Sequence, residues 1–373
     1  MENKKETYSS VEHALKSARF WFVLVFVFFM SIIVSYFPNW LGIKDSYEKE
    51  GMATSIHGVE EVFIEKPLFP PLDKELYDRL LERLANNPVT VVEGQEEVKP
   101  NLWPVDAPYP KDGAILPFKR IIAYYGNLYS TKMGVLGEYP EEEMLSRLMN
   151  EVEKWEKADP EIPVQPALHY ITVTAQLHPG EDGKHRLRMP QKEIDKVLEI
   201  AKKIDAIVFL DFQVGFSTLE NELPVYEKYL KLPNVHLGID PEFSMKGTIR
   251  PGKVVGTYDA KDINYAIEYL SKLVKENNLP PKVLVIHRYT QKMVTNFQEI
   301  KPQEEVQVVI HMDGWGGKAK KKNTYERFIF QEPVQFTGFK IFYKNDIWDP
   351  GTVLFTPEEL LKLRPIPIYI QYQ

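Results

Sequence analysis

The Asp240-Pro241-Glu242 triplet carries the sharpest chemistry in this chain of 373 residues. It follows directly on the apolar run Val235-His236-Leu237-Gly238-Ile239. Two carboxyls spaced i, i+2 at a strand end point to the same side of a sheet. Like charge at close range, together with burial, raises one pKa and keeps that carboxyl protonated for general-acid work. A plainer reading has Asp240 capping a neighbouring loop and Glu242 in solvent. Asp211, His287, Arg288, Asp313 and Asp346 stand at or just beyond the ends of other apolar runs. The expected catalytic set is Glu242 as acid, Asp240 as its tuning or orienting partner, and Asp313 or Asp346 as a second carboxylate. Tyr124, Tyr125, Asp211, Gln213, His287, Arg288, Trp315 and Lys340 are the expected substrate contacts.

Positioning these groups requires a scaffold, and the apolar pattern supplies one. Eight short runs are rich in Val, Ile, Phe and Tyr: Arg120–Tyr125, Ala167–Thr174, Ala206–Asp211, Val235–Asp240, Lys282–His287, Val306–His311, Thr337–Tyr343 and Pro367–Tyr372. Amphipathic stretches separate most of them, as parallel strands with crossovers require. The pattern predicts an α/β fold, a (β/α)8 TIM-type barrel over 118–373, whose active site sits at the C-terminal ends of the strands. Helices are expected over Leu72–Ala85, Gln191–Ile204, Leu219–Leu230 and Asp262–Glu276. Two more open at Pro140-Glu141-Glu142-Glu143 and at Thr356-Pro357-Glu358-Glu359, each a proline with an acidic first turn. The chain ends on the eighth strand, so Leu72–Ala85, with Leu76, Leu80 and Leu84 as its stripe, is expected to cover the flank between the last and first strands. The proline-rich stretch 87–117 is expected to run extended over the surface.

Period-two alternation puts Asp211 on one face with Phe209, Asp313 with His311, and Lys340 with Gly338. If those faces point inward, acids and a lysine meet in a confined space and must pair. Tyr124, Tyr125, Phe243, Trp315, Tyr343 and Trp348 would add aromatic faces for sugar rings, or pack as ordinary loop residues. Lys318, Lys320, Lys321 and Lys322 predict a cationic, solvated loop after the sixth strand.

The fourth run ending in Asp240-Pro241-Glu242 resembles the strand that carries the acid in family 18 chitinases and family 25 lysozymes. In chitinase-type enzymes that resemblance makes Glu242 the proton donor. Asp240 then orients the substrate's acetamido group, which acts as nucleophile. Only these two residues match, because Val235–Ile239 lacks the further aspartates of the chitinase motif. More broadly, Tyr124-Tyr125-Gly126-Asn127, Gly238-Ile239-Asp240-Pro241-Glu242-Phe243-Ser244-Met245 and Met312-Asp313-Gly314-Trp315-Gly316 resemble a family of uncharacterised bacterial envelope proteins, many of them lipoproteins. That resemblance implies an exported barrel and brings no activity. The chain departs from the lipoprotein pattern in having no cysteine.

No cofactor is expected, and the lack of a Gly-rich phosphate loop and of a Gly-x-Ser-x-Gly elbow argues against nucleotide binding and serine hydrolysis. Metal binding is the competing use of His287, His311, Asp211, Asp240 and Asp313. The first run ends in Tyr124-Tyr125 instead of the His-x-His of zinc hydrolases on this fold, so no metal is assigned, and a carboxylate-rich magnesium or calcium site stays open as the alternative. A net charge of −7 argues against nucleic acid as a partner. Absence of cysteine excludes disulfides and a thiolate nucleophile.

Phe20–Phe37 is uncharged and apolar, about the shortest stretch that spans a bilayer as a helix. Lys4, Lys5, Lys16 and Arg19 precede it, which places the N-terminus inside. The expected organisation is a cytoplasmic tail 1–19, a transmembrane anchor 20–38 in the lipid bilayer, a spacer 39–66, an extension 67–117 packed on the barrel, and an extracytoplasmic barrel. A cleaved signal peptide is the rival, although no small-x-small site follows the run. The expected partner is a carbohydrate such as a cell-wall glycan. A glycan-acting enzyme leads, with a non-catalytic envelope protein binding glycan or protein at the barrel mouth as the alternative.

Overall fold

The alternation of apolar runs and amphipathic stretches resolves into a closed, eight-stranded parallel barrel with helices between strands. The structure is a computed structural model that describes residues 69–88 and 101–373. The tail 1–19, the expected span 20–38 and the spacer 39–66 lie outside the described residues. Among those described, no helix is long and apolar enough to cross a membrane.

The barrel strands are β1 (Arg120–Gly126), β2 (Val164–Ala175), β3 (Ile207–Phe212), β4 (Val235–Ile239), β5 (Lys282–Arg288), β6 (Val306–Met312), β7 (Phe336–Ile341) and β8 (Tyr369–Tyr372). Each pairs in parallel with its successor, and β1 pairs with β8 to close the ring. All eight expected runs are strands, with shifted ends. The eighth starts at Tyr369 instead of Pro367, because proline has no N–H for the ladder. The fourth stops at Ile239, because Pro241 opens a 3-10 turn over Pro241–Phe243 that Asp240 caps, its Oδ1 accepting from Glu242 N at 3.0 Å. Glu242 therefore leaves the strand before its side chain is aimed, and the i, i+2 strand argument does not apply to it.

The main helices are α1 (Lys74–Ala85), α2 (Glu141–Ala158), α3 (Gln191–Lys202), α4 (Ala260–Asn277), α5 (Lys318–Tyr325) and α6 (Pro357–Leu360). The expected single helix over Leu219–Leu230 is broken into Leu219–Glu222, a 3-10 turn over Leu223–Tyr226, and Glu227–Leu230. Pro224 cannot donate to the helical ladder, which accounts for the break. The cationic stretch after β6 is likewise no solvated loop: it is α5, and Lys321 is buried.

Outward residues of the strands, such as Ile122, Leu168, Leu237 and Ile310, pack with Met144, Leu148 and Trp155 of α2 and with the other helices. Inward residues form a second core that includes Ile121, Ala123, Ala167, Phe209, Val283, Val285 and Val309.

Helix α1 joins this inner core through Tyr77, Leu80 and Leu84, together with the strand-entry residues Leu116, Ile366 and Ile368. Ile366 N also donates to Leu84 O at 2.7 Å. The expected place on the flank between β8 and β1 is thus corrected: α1 closes the N-terminal end of the barrel. On that flank α2 reaches β8 through Trp155, whose Nε1 donates to Tyr372 Oη at 3.0 Å. Beneath β1, Asp159 takes Arg83 Nη2 at 2.5 Å and the buried Arg120 Nη1 at 2.6 Å, tying α1 to the barrel. The described part of the proline-rich segment, 101–117, has no helix or strand. Gln307 holds it, donating to Leu116 O at 2.6 Å and accepting from Leu116 N at 3.0 Å.

Candidate functional site

With one end of the barrel closed by α1, chemistry is left to the other end. There a cleft of about 640 Å³ is lined by Tyr125, Gln213, Asp240, Glu242, Tyr289, Asp313, Trp315 and Lys340, among others. Alternation explains the selection: Tyr125 ends the inward row of β1, Asp313 continues that of β6, and Lys340 continues that of β7.

Below the cleft, inward side chains form a polar layer. Asp211 is its centre. Its Oδ2 accepts from Tyr125 Oη at 3.0 Å, and its Oδ1 lies 3.0 Å from His169 Nε2 and 3.2 Å from His287 Nε2. His169 Nδ1 sits 2.6 Å from Tyr369 Oη. On the far side of His287, Nδ1 lies 2.9 Å from Asp313 Oδ2, while Lys340 Nζ lies 2.9 Å from Asp313 Oδ1. Lys340 also stands 3.9 Å over the Tyr125 ring. The strand interior makes room for this layer with glycine. A Cβ on Gly238 would meet His169 Nε2 at 2.3 Å and Asp211 Oδ1 at 2.5 Å.

The layer sorts its protons. Burial pushes the Asp211 and Asp313 carboxyls up, but the His287 imidazolium beside both and Lys340 beside Asp313 outweigh it and hold both below the usual range. Burial alone would push His287 down; the two carboxylates on either side raise it to about 10. His169 is lowered by burial to about 4 and is neutral at pH 7. Asp211 and Asp313 against His287 and Lys340 make a neutral set of four charges, as a buried cluster requires.

Asp240 and Glu242 have His287 nearby but no cation in ion-pair contact among the described residues, so burial prevails. Asp240 is raised well above its ordinary value by burial, which the nearby His287 imidazolium only partly offsets, with the negative charges of Glu242, Asp211 and Asp313 adding to the rise. Glu242, half-buried on the cleft wall, is raised by burial and then by Asp313, partly offset by the Tyr289 hydroxyl. Gln213 Nε2 lies 3.5 Å from Asp240 Oδ2 and 3.3 Å from Tyr125 Oη, linking the two groups.

The other expected site residues divide clearly. Gln213, Tyr125, Trp315 and Lys340 line the cleft, and Asp211 and His287 lie buried below it. Three lie elsewhere. Tyr124 faces outward because Tyr125 faces in, and its Oη lies 3.2 Å from Tyr343 Oη under α2. Arg288 follows inward His287 and so also faces outward, with Nη2 2.5 Å from Glu332 Oε2 and its other donors on backbone carbonyls. Asp346 is buried behind the cleft wall, accepting from Gly316 N at 2.9 Å and Phe342 N at 3.0 Å and pairing with Lys321 Nζ at 2.5 Å. Of the expected aromatic faces, Phe243 and Trp315 line the cleft, while Trp348 is 79% exposed outside it.

Sequence reasoning missed His169, Tyr289 and Tyr369. His169 and Tyr369 share the inward parity of their strands with Ala167 and Gln371, so alternation alone could have identified them. Two sets of three side chains, His169–Asp211–His287 and His287–His311–Asp313, bring ligand atoms within 4.8 Å of one another. No protein-family model matches the chain, and neither does any curated protein.

Proposed function

We propose that this barrel cleaves a glycan, with Glu242 as general acid. One observation carries the reading: Glu242 is half-buried on the wall of an open cleft, and its carboxyl is pushed up towards the protonated form. A protonated carboxyl facing substrate can donate to a glycosidic oxygen as the bond to the anomeric carbon breaks. Asp313 is held by His287 and Lys340, so the nucleophile is better supplied by an acetamido oxygen of the substrate, which attacks the anomeric carbon. Asp240, buried beside Glu242 and also raised, orients that group. Water then attacks the anomeric carbon, breaking its new bond to the acetamido oxygen and giving its proton to the Glu242 carboxylate, which restores the acid. Trp315, half-exposed on the cleft, offers a face for a sugar ring.

In this reading residues 20–38 anchor the protein in the membrane, and the barrel lies outside the cell against wall polymer. Soaking crystals with chitin and cell-wall fragments tests it. An N-acetylated sugar bound over Trp315 with its glycosidic oxygen in reach of Glu242 is expected. The same fragments bound elsewhere, or excluded, would overturn it.

A second reading rests on Lys340, which is locked on Asp313. It makes the protein a non-catalytic envelope component that holds glycan in the same cleft. Binding of those fragments without any cleavage would favour it.

A further inference from the structure

The acid chemistry leaves one group in the polar layer unexplained. His311 is fully buried, yet neither ring nitrogen has a hydrogen-bond partner among the described residues. A buried polar group without partners is costly. The barrel nevertheless makes space for it, since a Cβ on Gly338 would stand 2.6 Å from His311 Nδ1. One nitrogen each of His287 and His311 and one Asp313 oxygen lie within 4.8 Å of one another.

We infer that His287, His311 and Asp313 form a site for a divalent transition-metal ion of the zinc class. The inference goes beyond the glycan reading and does not rest on it. Two imidazoles and a carboxylate favour zinc, cobalt, iron or manganese over calcium and magnesium, which prefer all-oxygen ligands. Two of the three ligands are already oriented. His287 Nδ1 and Asp313 Oδ2 stand 2.9 Å apart. Two donors each roughly 2.0–2.2 Å from one tetrahedral zinc are about 3.3–3.6 Å apart, so this pair opens by about 0.5 Å to admit the ion. His287 Nε2 lies 3.2 Å from Asp211 Oδ1, so an ion takes the place of the Nδ1 proton while the Nε2 proton stays beside that carboxylate. A carboxylate holding the far side of a ligating histidine is the common supporting arrangement at zinc sites.

Asp211 is in turn fixed by Tyr125 and His169. Asp313 can give Oδ2 to the ion while Oδ1 remains 2.9 Å from Lys340 Nζ. It also lines the cleft, which gives an ion a way in. The neighbouring set His169–Asp211–His287 is less suited, because both His169 nitrogens already have partners at 2.6 and 3.0 Å and it lacks the unpartnered His311.

The test uses the full chain, stripped with a chelator and dialysed. Zinc is added at one equivalent, binding is measured by calorimetry, and crystals grown from that sample are examined by anomalous scattering at the zinc edge. The expected result is a single buried peak between His287, His311 and Asp313. His311→Leu should lose tight binding, and Asp211→Asn should weaken it by about 10–100-fold. Cobalt(II) in place of zinc should give a visible absorption band that the His311 variant lacks. Circular dichroism establishes that the variants are folded, and if His311→Leu does not fold, the wild-type peak decides. No peak at those three residues, a peak only on the surface, or unchanged affinity in folded His311→Leu would overturn the inference.

Discussion

Glu242 and Asp313 line one cleft with their carboxyls driven in opposite directions. Burial pushes both up, but only Asp313 has a cation on each oxygen: Lys340 at 2.9 Å from Oδ1 and His287 at 2.9 Å from Oδ2. The charge this stabilises on Asp313 then raises Glu242 further. One carboxylate fixed as an anion beside one held as an acid is the division of labour that acid catalysis uses.

Gly238 should not tolerate a side chain. The added Cβ of Gly238→Ala meets His169 Nε2 and Asp211 Oδ1 well inside contact distance. Overpacking typically costs about 1–3 kcal/mol, and here it also forces apart a buried hydrogen bond. Urea unfolding should show a lowered midpoint with an unchanged slope. A midpoint equal to wild type would mean that the layer is looser than described.

Closure by α1 makes its apolar stripe part of the barrel core. Leu80→Ala removes a buried side chain packed against the inner core and should cost about 2–5 kcal/mol in denaturant unfolding. A fragment starting at Phe118 should expose the same core and bind a hydrophobic dye. If that fragment is as soluble and stable as the full chain, the closure matters little.

Asp346 should behave as a structural residue. Asp346→Asn leaves Lys321 buried without its anion, and breaking a buried pair costs about 3–5 kcal/mol. Turnover per folded molecule should nevertheless stay at the wild-type level. A loss of about 10²–10⁴-fold would instead give Asp346 a direct part in proton transfer.

His169 should make stability pH-dependent on the acid side. Its folded value is about 4, below the ordinary 6.5, so the unfolded chain takes up the proton first as pH falls. Stability is then lost as pH drops from about 6.5 towards 4 and no further below that. The difference between wild type and His169→Asn should change by about 1.4 kcal/mol per pH unit across that window in metal-free protein. A flat difference would mean that His169 is charged in the folded state.

The strands were legible because each is a short β-branched and aromatic run buried on both faces, and the barrel follows from their parallel spacing. Alternation also brought Asp211, Asp313 and Lys340 to one interior. It could not place residues just beyond a strand end, where turn chemistry takes over: Asp346 is drawn to Lys321 on α5, and Glu242 is set by the Asp240 cap. Parity would have separated Tyr124 and Arg288 from their inward neighbours Tyr125 and His287. The position of α1 was not legible, because a leucine stripe says that a helix is covered and not by which end of a barrel.

The most direct test of the account is turnover of Glu242→Gln on N-acetylated chitin or cell-wall oligosaccharides. The amide keeps the shape of the side chain and removes the proton donor. The wild type should cleave such a substrate, and the variant, folded and still binding it, should lose about 10²–10⁴-fold in rate. A variant as active as wild type would contradict it.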